Sequence, residues 1–215
     1  TNQIYHVLNR GIASQPVFFT KNDYQRIWET ILYYQHQKPP LSYSHFLRLP
    51  NNQRVEFLAN LQTEDKLLIE IIALCLLPNH LHLLLKQLED NGISIFMSNL
   101  INSYTRYFNT NDERVGPLFQ GKFKAVLIET EEQLFHVSRY IHLNPYSSYV
   151  IKRLEELDVY AYSSFPEYLG QSKTNFFQKE IIFNQFKDAA SYKQFILDQA
   201  NYQRELNWIK HLALE

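Results

Sequence analysis

LLIEIIALCLLPNHLHLLLKQ, residues 67–87, decides how this chain reads. Leu67 to Leu77 is apolar on both alternations apart from Glu70, the pattern of a strand covered on both faces and central in a sheet. Pro78-Asn79 is a turn signal, and His80 to Gln87 alternates as a second strand, so the stretch predicts a hairpin turning near Pro78. Residues two apart on a strand share a face. Leu81, Leu83 and Leu85 therefore point into the core, while His80, His82 and Lys86 point the other way. Two imidazoles side by side on a rigid strand can share one divalent metal. The pair alone is a weak signal, because two surface histidines on a strand read the same way.

Working outward, Ile4 to Arg10 (IYHVLNR) reads as a strand. Lys21 to Gln37 has helical spacing at Ile27, Ile31 and Tyr34, and Pro39-Pro40 stops it. Residues 41–66 are polar and mixed, with a short helix around Gln53 to Leu61, and read as an insertion. Ser94 to Asn109 is helical, with Met97, Leu100, Ile101, Tyr104 and Phe108 on one stripe. Gly116-Pro117 breaks the chain, and Lys122 to Glu129 (KFKAVLIE) reads as a strand. Thr130 opens a helix as a capping box with Gln133, and Pro145 is expected to close it. Strand, helix, strand, strand, helix, strand, helix is an α+β order, an antiparallel sheet with helices packed on it. Residues 150–215 look mostly helical, notably Ala189 to Leu214.

The bulk numbers narrow the classes. A chain of 215 residues suits one domain with an extension, and 45% hydrophobic with 20% charged residues excludes disorder. The single cysteine, Cys75, excludes an internal disulfide framework and fits a reducing cytoplasm. No stretch is apolar enough to span a bilayer, and no signal-peptide pattern follows Thr1. A net charge of −1 counts against a protein that coats DNA generically, but not against an enzyme with a local basic patch.

On the helix 131–145, His136, Tyr140 and Asn144 are four apart and share one side, while Leu134, Val137, Ser138 and Ile141 face inward. Tyr140 thus sits on the flank of the buried face, able to hang over a neighbouring sheet. A phenol is a competent nucleophile at phosphorus when a cation stabilises the developing charge. Among 15 tyrosines, any one chosen blindly is more often a core-edge residue. His136, one turn away, is better read as solvent-exposed or structural than as a proton relay. Arg10, Lys86, Arg106, Lys122, Lys124 and Arg139 lie in or beside the expected sheet and helices. Such residues usually form a solvated face. Lys122 and Lys124 on one strand face, with Phe123 opposite, would also suit phosphate contact.

Several ordered blocks carry a resemblance. LLPNHLHLLL (76–85) resembles the histidine–hydrophobic–histidine signature of the HUH endonucleases. GPLFQGKFKAVLIE (116–129) followed by RYIHLNP (139–145) resembles the REP-associated tyrosine transposases and their IS200-like relatives. YHVLNRG (5–11), SYTRYFN (103–109) and YSSFPEYLG (162–170) resemble further blocks of that family in the same order.

The resemblance implies a ferredoxin-like sheet with His80 and His82 on a central strand. It implies Tyr140 as nucleophile and Asn144, four residues on, as a third metal ligand. Tyr104 and Tyr107 rank below Tyr140. The implied cofactor is Mg²⁺ or Mn²⁺, and the implied partner is single-stranded or hairpin DNA; Arg10, Arg106, Lys122 and Lys124 are the candidate phosphate contacts. It further implies a nuclease domain over residues 1–150, interrupted by the insertion at 41–66, and a helical extension over 151–215. The setting would be cytoplasmic and nucleoid-associated, with monomer and homodimer both open. The departures are the long 41–66 segment, Lys122 where arginine is common, and Leu77 where methionine is common. Three other readings stay in view: a hairpin binder of the same fold that does not cut, a zinc hydrolase using His80, His82 and Glu70, and an RNA-binding sheet domain.

Overall fold

The computed structural model describes residues 1–37, 39–63, 66–171 and 176–212. Among them, four strands form one sheet in the order β2-β3-β1-β4, every neighbouring pair antiparallel. The strands are β1 (Ile4–Arg10), β2 (Ile69–Leu77), β3 (His80–Gln87) and β4 (Lys124–Leu127). Helices α1 (Lys21–Tyr34), α2 (Tyr43–Phe46) and α3 (Asn51–Thr63) lie between β1 and β2. Helix α4 (Gly92–Asn111) joins β3 to β4, and α5 (Glu131–Ser147) follows β4. This is the α+β class that the element order predicts, in the ferredoxin-like form that the resemblance implies.

β2 is buried along its length except at Glu70, but it is an edge strand and not the central one that its apolar run predicts; the chain beyond residue 150 covers the side a neighbouring strand would take. Leu77 pairs with His80, so Pro78 and Asn79 form a two-residue hairpin loop. The two faces of the sheet have different covers. Asn9, opposite Leu81, looks onto α4, with Ser94, Met97 and Ser98 around it. His82, on the other face, looks onto α5 through Tyr140.

Several boundaries differ from the sequence reading. α1 ends at Tyr34, and β4 begins at Lys124, leaving Lys122 in the bend before it. α5 does not stop before Pro145 but runs through it to Ser147. Proline removes one backbone donor and crowds the preceding turn, but here only half a turn remains to be disturbed. His142, Leu143, Asn144, Pro145 and Tyr146 are all buried, so packing outweighs the local cost. Thr130 does cap α5, accepting from the Gln133 N–H at 3.1 Å. The Gln133 side chain instead accepts from the Glu129 N–H at 2.8 Å, so the box is displaced by one residue.

Beyond residue 150 the chain adds α6 (Phe165–Tyr168), α7 (Glu180–Phe183), α8 (Ala189–Leu197) and α9 (Ala200–Leu212). Of the helix expected over Ala189–Leu214, the final two residues lie outside the described residues, as do 64 and 65 of the insertion. This region lines the outer edge of β2. The Tyr160 hydroxyl donates to the Leu76 carbonyl, the Ser164 N–H to that of Leu74, the Tyr168 hydroxyl to that of Ile72, and the Gln178 N–H to that of Ile71. An edge strand left bare is a template for wrong pairing, and here those acceptors are taken. No helix among the described residues is long and apolar enough to cross a membrane.

Candidate active site

The antiparallel register sets the site. Arg10 lies opposite His80, and Leu8 lies opposite His82 on one side and Lys124 on the other. Arg10, Leu8 and His6 on β1 therefore share a face with His80 and His82 on β3. His6 sits beside His82: its Nε2 is 2.9 Å from His82 Nδ1, and the rings are near parallel, with centroids 5.2 Å apart. Tyr140 reaches this cluster from α5. Its ring meets His82 edge-on at 5.4 Å and His6 at 5.9 Å between centroids.

His80 and His82 are buried, not the surface pair that a bare strand would present. Burial disfavours the charged imidazolium. It pushes His6 and His80 down to about 4, with Arg10 adding to the effect on His80. His82 is held well below its ordinary value, first by burial and then by His80, His6 and Arg10. The three rings are thus neutral near pH 7, the form that ligates metals. His82 Nε2 is buried and has no hydrogen-bond partner among the described residues, which is compatible with a lone pair that could ligate a cation.

Asn144 is buried one turn beyond Tyr140. Its Nδ2 donates to the Tyr140 carbonyl at 3.3 Å, and its Oδ1 accepts from the Ser148 hydroxyl at 3.2 Å. An amide oxygen has two lone pairs, so one remains. Among the described residues no group of three His, Cys, Asp or Glu is placed to hold a metal. A cation here would rest on the two imidazoles and substrate oxygens, while the hydrogen bonds of the Asn144 amide lie within α5 and its C-cap. Glu70, the carboxylate a zinc hydrolase would need, is paired with Lys86 at 3.1 Å.

The other tyrosines considered lie elsewhere. Tyr104 is fully buried and donates to the Val17 carbonyl at 2.6 Å, and Tyr107 donates to Asp23 at 3.1 Å. His136 points to solvent near Glu132, at 3.6 Å. The basic residues divide. Arg10 and Lys124 are exposed on the histidine face. Lys122 lines a cavity with Asn9 and Phe123 on the α4 side. Arg106 lies on α4 in a polar groove with His45 and Arg48. Arg139 is stacked on Phe195, its guanidinium carbon 3.6 Å from the ring centre.

Two residues of the cluster escaped the sequence reading, His6 and Asn79. The block YHVLNRG carries His6, and its last residue also has a structural reason. A Cβ on Gly11 would lie 2.2 Å from the Gln15 carbonyl oxygen. The Gly11 N–H donates to the Asn79 carbonyl at 2.8 Å, tying β1 to the hairpin tip.

Residues 51–144 match the family model described as Transposase IS200 like. The match contains His80, His82, Tyr140 and Asn144, and it begins inside segment 41–66. A Haemophilus influenzae protein named as a REP-associated tyrosine transposase is 30% identical over 114 residues, covering 48% of this chain. The matched part spans 63% of that relative's length. A solved structure of a REP-associated tyrosine transposase bound to a REP hairpin shares the fold, with a TM-score of 0.51 at 13% identity. That likeness covers 83% of this chain and 92% of the other. By family model, relative and fold together, this chain is similar to the IS200-like transposases, those of the REP-associated tyrosine type among them.

Proposed function

We propose that this protein cuts and rejoins single-stranded DNA through a covalent bond between Tyr140 and a 5′ phosphate. The observation that carries this is the contact of the Tyr140 ring with His82 and His6, which brings a phenol to a pair of neutral imidazoles. The phenol oxygen attacks phosphorus in line, and the bond from phosphorus to the 3′ oxygen breaks. The phenolic proton is lost to solvent, and the departing 3′ oxygen takes one up. Reversal with another 3′ hydroxyl joins strands, and the phosphotyrosine bond preserves the energy needed. His80 and His82 are the residues that would hold Mg²⁺ or Mn²⁺, with Asn144 as the third ligand that the resemblance implies. When bound, such a cation supplies Lewis-acid polarisation of the scissile phosphate.

Arg10 and Lys124 give the substrate its seat. Arg10 opposes His80, and Lys124 stands two strands from His82, about 10 Å away at ordinary strand spacing. Val126 on the same shelf is 58% exposed, so the face is open over β4 and at the Arg10 end of β1. An open shelf suits an unpaired strand with splayed bases. Since a relative in the solved complex is bound to a REP hairpin, a hairpin with a flanking single strand is the proposed substrate. Arg106 and Lys122 face the α4 side and are not proposed to touch the scissile phosphate.

The test is a cleavage assay with Mn²⁺ on single-stranded hairpins, with wild type and Tyr140→Phe side by side. Under denaturing conditions wild type should carry DNA, and Tyr140→Phe and chelated samples should not. Tight hairpin binding with no adduct would make this a binder. Cleavage surviving Tyr140→Phe would mean that another nucleophile acts.

A further inference from the structure

Asn79 donates from Nδ2 to the Ser14 carbonyl at 2.9 Å. Its Oδ1 is then the atom 2.6 Å from His80 Nδ1. An amide oxygen only accepts, so the proton on His80 belongs to Nδ1. The loop that brings Ser14 there is unusual: Ala13 and Ser14 have φ of 51° and 56°, left-handed backbone at two consecutive residues that are not glycine. Such strain persists only where surrounding contacts fix it, and it gathers at functional sites.

His82 has the same arrangement with a different acceptor. Its Nδ1 meets His6 Nε2 at 2.9 Å, while its own Nε2 is buried with no partner among the described residues. A proton on Nε2 would leave a buried donor without an acceptor, a rare condition in folded proteins. A proton on Nδ1 gives His6 Nε2 a donor and leaves Nε2 of His82 as a free lone pair. We propose that His6 and Asn79 are positioning residues that fix His82 and His80 as their Nδ1–H forms, aiming both Nε2 lone pairs at one divalent cation. This rests on the cation site of the proposed function. Ligating histidines generally donate their second ring N–H to such a partner, and loss of the partner costs 10–100-fold in metal affinity or activity. Here the partners are an imidazole and an amide. Each comes from a block, YHVLNRG or PNHLH, whose conspicuous residues are others.

The experiment uses the metal-free full chain with ¹⁵N-labelled histidine. Long-range ¹H–¹⁵N correlation spectra distinguish Nδ1–H from Nε2–H rings, and Mn²⁺ titration by electron spin resonance reads affinity without any turnover. Wild type should show His80 and His82 as Nδ1–H. His6→Leu should release His82 to the Nε2–H form and weaken Mn²⁺ binding about 10–100-fold. His6→Gln, whose Oε1 can stand where His6 Nε2 stands, should retain the Nδ1–H form and most of the affinity. His82 found as Nε2–H in wild type would overturn the proposal. So would a folded His6→Leu protein with wild-type spectra and affinity. Should His6→Leu fail to fold, the wild-type and His6→Gln spectra still decide. If His80→Ala and His82→Ala bind Mn²⁺ as well as wild type, it is the cation site that fails, and the spectra report on His6 regardless.

Discussion

At the residue scale, the face-sharing of His80 and His82 followed from their spacing, because a strand has a period of two. Tyr140 followed from helix geometry together with the RYIHLNP block. His6 did not, because a lone histidine on a strand has no spacing signal, and its pairing with the His82 row depends on a register that sequence does not display. Asn79 reads as a turn residue, and its second task appears only once the Ser14 carbonyl lies beside it. Two outcomes follow at this scale. His82→Ala should lower adduct formation at least about 100-fold in a Mn²⁺-dependent cleavage assay, since loss of a ligand exceeds loss of a ligand's partner. Arg10→Ala should weaken binding across DNA sequences and reduce the slope of log affinity against log salt by about 1. An unchanged slope, measured by fluorescence anisotropy over a salt series, would remove Arg10 from the interface.

At the scale of the element, α5 is held by a buried polar chain. His142 Nε2 lies 2.8 Å from the Ser164 hydroxyl, and His142 Nδ1 lies 2.8 Å from the Tyr192 hydroxyl. Ser164 Oγ in turn accepts from the Leu74 N–H at 3.0 Å. These bonds join α5 to the edge of β2 and to α8, and they fix the rotation of the helix that presents Tyr140. The sequence signalled the start of α5 through Thr130 but misplaced its end, because Pro145 is a local signal and the burial around it is not. His142→Leu should destabilise the protein by about 1–3 kcal/mol, the cost of leaving buried partners unpaired, as read by urea unfolding. Burial pushes His142 down to about 3. A lowered histidine value stabilises the fold above the unfolded value near 6.5, and that contribution is lost as pH falls from there toward 3. Each such histidine contributes a slope of up to about 1.4 kcal/mol per pH unit in that window. His142→Leu should therefore flatten stability against pH between 6 and 4, and an unchanged slope would mean that His142 is not neutral in the fold.

At the scale of the whole molecule, the two faces of one sheet are put to different uses. The α4 face is core, and the α5 face is covered over β2, β3 and His6 of β1 but open over β4 and at Arg10. The net charge of −1 conceals this, because Arg10 and Lys124 stand on the open face while other cations are engaged with Glu70 or Phe195. The strands were legible from the alternation of elements but their order was not, since the run at 67–77 reads as central and β2 stands at the edge. Nor was the cover of β2 legible, since Tyr160, Tyr168 and Gln178 act on backbone carbonyls, and such bonds leave no periodic trace. A chain ending at Val159 should accordingly expose the β2 edge and associate, as light scattering would show, and a monodisperse, folded product would contradict the role given to that region. The central claim concerns one oxygen atom. Peptide mapping by mass spectrometry of the wild-type protein after reaction with a single-stranded hairpin and Mn²⁺ locates the attached nucleotide. The nucleotide is expected on the peptide containing Tyr140. A nucleotide on another residue, or cleaved DNA with no modified peptide, would contradict it.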